Sequence, residues 1–128
     1  MIYLDTSVAL AHFLGEDRVP PPDLWRESLV SSRLLEVEFW NHLHARGLTK
    51  THADGARALL ARLSFMELSP EVLARALEPF PVPVRTLDAL HLATVDYLRS
   101  RNQVTALATY DERLAACARA IGMPLATV

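Results

Sequence analysis

Acidic side chains are the part of this chain with chemistry to offer. Asp5 follows the short apolar run Ile2-Tyr3-Leu4, Asp111 follows Thr105-Ala106-Leu107-Ala108 by three residues, and Asp88 opens an apolar-striped segment after a proline-rich link. Glu36 and Glu38 compete for a fourth place: on a helix, residues two apart point about 200° away from each other, so only one faces inward. Glu38 shares its face with Leu34, Leu35 and Asn41 and is the better placed, with Glu36 solvated, although periodicity alone leaves the choice open. Four carboxylates packed together repel by roughly 1 to 4 kcal/mol per close pair and raise one another's pKa unless a positive group shares the pocket. No lysine is placed to do so, since Lys50 is the sole lysine of the chain. Hard oxygen donors open to water suit Mg²⁺, with Mn²⁺ as a substitute, so Asp5, Glu38, Asp88 and Asp111 are the candidate ligands. Zinc is disfavoured, because the five histidines show no paired ligand spacing on one helix. A magnesium ion so held lowers the pKa of a bound water and neutralises charge on a phosphodiester, which is hydrolytic nuclease chemistry. Thr6, Ser7 and Thr109 flank these acids and can orient a water or a ligand carboxylate.

Positioning those side chains is the task of the elements between them. Ile2 to Leu4 reads as a strand, and Asp5-Thr6-Ser7 supplies cap chemistry for a helix from Val8 to Leu14, closed by Gly15. Val19 to Asp23 is an irregular connection, because three successive prolines remove three backbone donors. Leu29 to Ser32 is a second strand, followed by helices over Leu34 to Arg46 and Thr49 to Leu63. A third strand spans Phe65 to Leu68. Ser69-Pro70-Glu71 opens another helix, and Pro79, Pro81 and Pro83 prevent its continuation. A helix runs from Arg85-Thr86-Leu87-Asp88 to Ser100, a strand over Thr105 to Ala108, a helix over Asp111 to Ile121, and a final strand over Pro124 to Val128. Alternating β and α elements predict one α/β domain over residues 1–128, a short parallel sheet sandwiched by helices. In such a sheet every strand's carboxyl end lies on one side, so Asp5, Asp88 and Asp111 can converge there.

Bulk properties agree with one soluble domain. A chain of 128 residues that is 51% hydrophobic and 22% charged, with four glycines, is neither disordered nor collagen-like. No stretch approaches the ~20 apolar residues of a membrane span, and the opening MIYLDTS lacks the pattern of an export signal, so the cytoplasm is expected. A lone Cys117 is expected to pack in the core. The net charge of −2 argues against binding nucleic acid through the overall field, so any such contact is local. Each candidate also has a plainer role: Asp5, Asp88 and Asp111 could simply cap or stabilise helix N-termini. His91 is expected in the core, hydrogen-bonded to backbone. Asp96 lies ~12 Å along the helix from Asp88, too far to share an ion, and is expected to face solvent. Arg85 either contacts substrate phosphate or pairs with an acid. Trp25, Phe39 and Trp40 are expected as core or dimer contacts.

Four stretches together resemble the PIN domains of VapC-type toxins: Ile2-Tyr3-Leu4-Asp5-Thr6-Ser7; Ser31-Ser32-Arg33-Leu34 with Val37-Glu38; Arg85-Thr86-Leu87-Asp88-Ala89-Leu90-His91-Leu92-Ala93; and Thr109-Tyr110-Asp111-Glu112-Arg113-Leu114. The resemblance covers nearly the whole chain. It implies a catalytic acidic quartet at Asp5, Glu38, Asp88 and Asp111 with Thr109 beside it, which selects Glu38 over Glu36. It further implies a Mg²⁺- or Mn²⁺-dependent ribonuclease that forms a homodimer and is silenced by a VapB-type antitoxin threading a segment into the acidic pocket. One departure stands out: many relatives carry arginine a turn after the glutamate, where this chain has Asn41. Two other α/β enzymes with an aspartate after the first strand each lack a piece here. A phosphoryl-accepting receiver needs a second adjacent acid and a late lysine, and a haloacid-type phosphatase needs an aspartate where Ser7 stands. The remaining rival is a PIN-fold module that binds RNA or protein without cutting.

Overall fold

The computed structural model describes residues 1–128. Its elements run β1 (Ile2–Leu4), α1 (Thr6–Leu14), a 3₁₀ helix (Pro22–Arg26), β2 (Leu29–Ser32), α2 (Arg33–Ala45), α3 (Thr49–Leu60), β3 (Ser64–Met66), α4 (Pro70–Leu77), α5 (Thr86–Ser100), β4 (Ala106–Ala108) and α6 (Glu112–Ala120). Local chemistry sets most boundaries. Ser32 caps α2 by accepting from the Leu34 amide at 3.0 Å, Ser69 caps α4 with Pro70 in its first turn, and Gly15 ends α1 in the left-handed region at φ 61°.

The four strands form one parallel sheet in the order β3-β2-β1-β4. Because strand side chains alternate, Ile2, Leu4 and Leu29 face a core built with Val8, Phe39 and Leu43 from α1 and α2 and Leu59 from α3. Tyr3, Val30 and Leu107 face a second core with Leu92 and Val95 of α5 and Leu114 and Cys117 of α6. Both faces are thus covered, which is why the central β1 and its neighbour β4 read as unbroken apolar runs. The chain steps from β1 outward to β2 and β3, then returns past β1 to β4. That reversal opens a crevice between the segments leaving β1 and β4. No helix is long and apolar enough to cross a membrane.

Three details depart from the sequence-based expectations. The final strand shrinks to a single parallel bridge, Leu107 with Leu125, held by Leu107 N–H to Pro124 O and Ala126 N–H to Leu107 O; Pro124 has no N–H to extend the ladder. Of the proline-rich connection, Val19 to Pro21 is irregular as expected, while Pro22 and Asp23 open the 3₁₀ helix, for which a leading proline is preorganised. Asp96 does not face solvent as a lone acid: it bridges Arg75 of α4 at 3.0 Å and Arg99 of α5 at 2.9 Å, fastening α4 onto α5. Cys117 and Phe39 are buried in the core as expected, while Trp25 and Trp40 pack at its edge.

Phe39 is fully buried and directly follows Glu38. Phe39→Ala should cost about 3–5 kcal/mol, read as a fall in the urea midpoint at unchanged slope; a loss below ~1 kcal/mol would contradict this packing.

Candidate active site

The first residue beyond β1 is tied to the end of β4, where the Asp5 amide donates to Ala108 O at 2.9 Å. Its side chain caps α1. Asp5 Oδ2 accepts from Ser7 Oγ at 2.6 Å, from the Ser7 amide at 3.4 Å and from Thr109 Oγ1 at 2.8 Å. These hydroxyls accept in turn: Ser7 Oγ from the Tyr110 amide at 2.9 Å, and Thr109 Oγ1 from the Asp111 amide at 3.0 Å. Ser7 and Thr109 therefore join the two segments that border the crevice, and Asp5 sits among them only 6% exposed.

Glu38 projects from α2 toward the same crevice. Its Oε1 accepts from Thr6 Oγ1 at 2.8 Å and from His91 Nε2 at 2.6 Å. His91 is buried as expected, but its partners are side chains rather than backbone: Nδ1 meets the Tyr3 hydroxyl at 2.7 Å. The phenol oxygen accepts from the Ser32 amide at 3.2 Å; with a neutral ring it donates to Nδ1 while Nε2–H points to Glu38, and with a protonated ring it accepts from Nδ1–H as well. Burial and the charge of Asp5 push the Tyr3 pKa well up, which keeps it a neutral phenol. For His91, burial opposes protonation, but the Glu38 hydrogen bond and the charges of Asp5, Glu38 and Asp88 outweigh it and raise the pKa. The group in the cluster able to take positive charge is thus a histidine, with Nε2 also 3.9 Å from Asp5 Oδ1. It lies three residues after Asp88, a spacing that puts both on one helical face and was the available sequence signal.

Asp88, in the first turn of α5, is buried. Burial and the charges of Asp111 and Asp5 raise its pKa, against opposing contributions from the Arg85 backbone and His91. Asp111 caps α6, its Oδ1 accepting from the Arg113 and Leu114 amides at 2.9 and 3.2 Å. Glu36 lies outside this group, paired with Arg33 at 3.1 Å.

Asp5, Glu38, Asp88 and Asp111 line one cavity of about 420 Å³, together with His91 and with Asn41 and His42 one turn along α2. Glu38, Asp88 and Asp111 also wall an adjoining cavity of about 580 Å³ that contains Arg85 and Arg113. Hydrogen bonds engage Asp5 Oδ2, Glu38 Oε1 and Asp111 Oδ1, leaving the second oxygen of each without one. No three His, Cys, Asp or Glu side chains stand close enough to enclose an ion by themselves. A cation here would take one or two carboxylates and complete its shell with water, which fits a hard divalent ion rather than zinc.

Comparison with known proteins assigns the family. The PIN domain family model matches residues 2–120. Ribonuclease VapC46 of Mycobacterium tuberculosis is 36% identical over 128 residues, covering 95% of this chain and 93% of its own length. Ribonuclease VapC47 of the same species is 31% identical over 134 residues, covering 99% and 96%. The crystal structure of M. tuberculosis VapC20, described as a Sarcin-Ricin loop cleaving toxin, aligns with a TM-score of 0.68 at 19% identity, over 91% of this chain and 94% of that one. That last likeness concerns the fold, a parallel sheet between helices. With a family match spanning nearly all of its length and relatives similar from end to end, this chain belongs to the PIN-domain family.

Proposed function

We propose that this chain is a Mg²⁺- or Mn²⁺-dependent endoribonuclease that hydrolyses RNA phosphodiester bonds, the toxin of a VapBC-type toxin–antitoxin pair. The observation that carries this reading is the convergence of Asp5, Glu38, Asp88 and Asp111 on one cavity, three of them keeping an oxygen free. Relatives named as ribonucleases support the reaction class. When bound, the divalent ion supplies a Lewis acid for the phosphodiester and lowers the pKa of a water. The remaining work is done by the chain. Ser7 and Thr109 fix the Asp5 carboxylate, Thr6 and His91 fix that of Glu38, and the α6 amides fix that of Asp111, so each free oxygen is preorganised for a cation or a water. Asp88 has the least neutralised environment and gains most from a cation.

An acidic cavity of this kind also suits an arginine delivered by a VapB-type antitoxin. Leu77 of α4, 88% exposed, and its neighbour Leu73, 43% exposed, support a homodimer. We assign the reaction to the cytoplasm, where an RNA substrate and an antitoxin partner would meet the chain. The Leu107 to Leu125 bridge supports counting residues 121–128 within the same domain.

Two experiments test the site. Asp5→Asn and Asp88→Asn should each lower RNA cleavage at least a hundredfold, the scale of removing one preorganised electrostatic contact, while circular dichroism shows the fold unchanged. A purified parent chain that leaves transfer and ribosomal RNA whole in Mg²⁺ and in Mn²⁺ would favour the non-cutting binding module instead. Second, the raised pKa of Asp88 means the native chain holds this proton more tightly than the unfolded chain. Stability contributed below the ordinary carboxylate pKa is therefore lost as pH rises through the native value. In EDTA at neutral pH, Asp88→Asn should unfold at higher temperature than the parent, with the gap closing near pH ~3. Added Mg²⁺ should raise the midpoint of the parent more than that of the variant; equal shifts would remove Asp88 from the ion site.

A further inference from the structure

The cavity beside the acid pocket combines charges that ordinarily cancel. It is lined by Glu38, Asp88, Asp111 and Glu112 together with Arg85 and Arg113. Eight of the twelve arginines of this chain are ion-paired or laid over an aromatic ring. The four that do neither are Arg46, Arg85, Arg113 and Arg119, and two of these four stand in this one cavity, next to acids with which neither pairs. Each guanidinium keeps its full fork of donors, the arrangement that recognises a phosphate bidentately. The backbone around them has the same bias. Arg85 is the cap residue of α5 and Arg113 lies in the first turn of α6, so the positive ends of two helix dipoles open on the same space.

We propose that Arg85 and Arg113 form a clamp for the phosphodiesters of single-stranded RNA next to the bond being cut. The proposal rests on the ribonuclease reading and gives that reading a substrate path: the strand passes through the arginine cavity, and the wall of Glu38, Asp88 and Asp111 shared by both cavities is where it meets the acids. The clamp positions the strand and takes no part in bond cleavage. It acts on the backbone, so it contributes equally to every sequence. It also explains how a chain of net charge −2 holds a polyanion without a basic surface, because the attraction is confined to two side chains beside the reaction.

The test compares two charge-matched double variants, Arg85→Ala/Arg113→Ala in the cavity and Arg46→Ala/Arg119→Ala outside it. Binding of a fluorescein-labelled single-stranded oligoribonucleotide is followed by anisotropy in EDTA over a salt series, and KM and kcat are measured separately with Mg²⁺. The cavity pair should flatten the plot of log affinity against log salt by about 1.4, since each lost phosphate contact on a single strand removes about 0.7. Its KM should rise about tenfold or more with kcat within about twofold of the parent, the signature of lost uniform binding. The outside pair should leave the slope near that of the parent. Should the alanine pair fail to fold, Arg85→Gln/Arg113→Gln removes the same charges and carries the same expectation. A cavity pair whose slope matches the parent or the outside pair, in a chain that still cleaves RNA, overturns the clamp and leaves the ribonuclease reading standing. A parent chain that neither binds nor cleaves RNA overturns both.

Discussion

A carboxylate taken almost entirely out of water must be met by donors, at a cost of about 1–3 kcal/mol, more for a charge, for each one missing. The way Asp5 meets that demand organises the whole rim. Two hydroxyls and an amide converge on its Oδ2, one hydroxyl from the helix that follows β1 and the other from the segment that follows β4. Both hydroxyls spend their acceptor capacity on amides of that second segment, Tyr110 and Asp111. Satisfying one buried acid therefore sets the path of the chain leaving β4, and that path delivers the next acid, Asp111, to the same cavity. Thr109 enters the site through two of these bonds, donating to Asp5 and accepting from the Asp111 amide.

Glu38 is fixed by a second circuit that closes on itself. Ser32, at the end of β2, caps α2 with its side chain and donates its amide to the Tyr3 hydroxyl. Tyr3 meets His91 of α5, and His91 returns to Glu38 of α2. Four elements are held by this circuit, and its Ser32, Tyr3 and His91 are buried while Glu38 stays partly exposed, so the bonds among the buried groups are strengthened by low dielectric and costly to break. A cluster of acids without a lysine is thereby given a group able to take positive charge. The fixing of Asp5, Glu38 and Asp111 through one oxygen apiece gives the site its chemical capacity, because a carboxylate held by one oxygen can offer the other in a defined direction.

What the sequence discloses and what it hides follow from the range of the interactions involved. Short apolar strand runs and apolar helical stripes are local, so the parallel sheet, its flanking helices and the edge where Asp5, Asp88 and Asp111 gather are legible from residue order. The choice of Glu38 over Glu36 is weaker in periodicity. It becomes firm in space, where Arg33 takes up Glu36 and the Thr6 and His91 side chains take up Glu38. His91 shows the limit of such reasoning. A histidine between two leucines looks like packing, and it is packed, yet its partners are 53 and 88 positions away, and no local pattern reports them. Asp96 fails for the same reason: its exposure depends on Arg75, which arrives from another helix. The final strand falls short on different grounds, since its apolar composition suits a strand while Pro124 denies it the donor needed to extend one.

Helix capping and site chemistry are rival explanations of an acid only while the chain is one-dimensional. At the carboxyl edge of a parallel sheet, the residue after a strand is also the residue before a helix, so an acid placed there faces the crevice and caps at once. Asp5 and Asp111 each do both, capping with one oxygen and leaving the other unengaged. Asp88 joins them from the first turn of α5, where the helix dipole also favours a negative group. Each such placement contributes roughly 0.3–1 kcal/mol, which offsets part of the repulsion among the acids before any cation arrives. The residue types that start helices well are thus the ones that can be crowded at this rim, and the fold tolerates there a concentration of negative charge that the middle of a helix or strand would not.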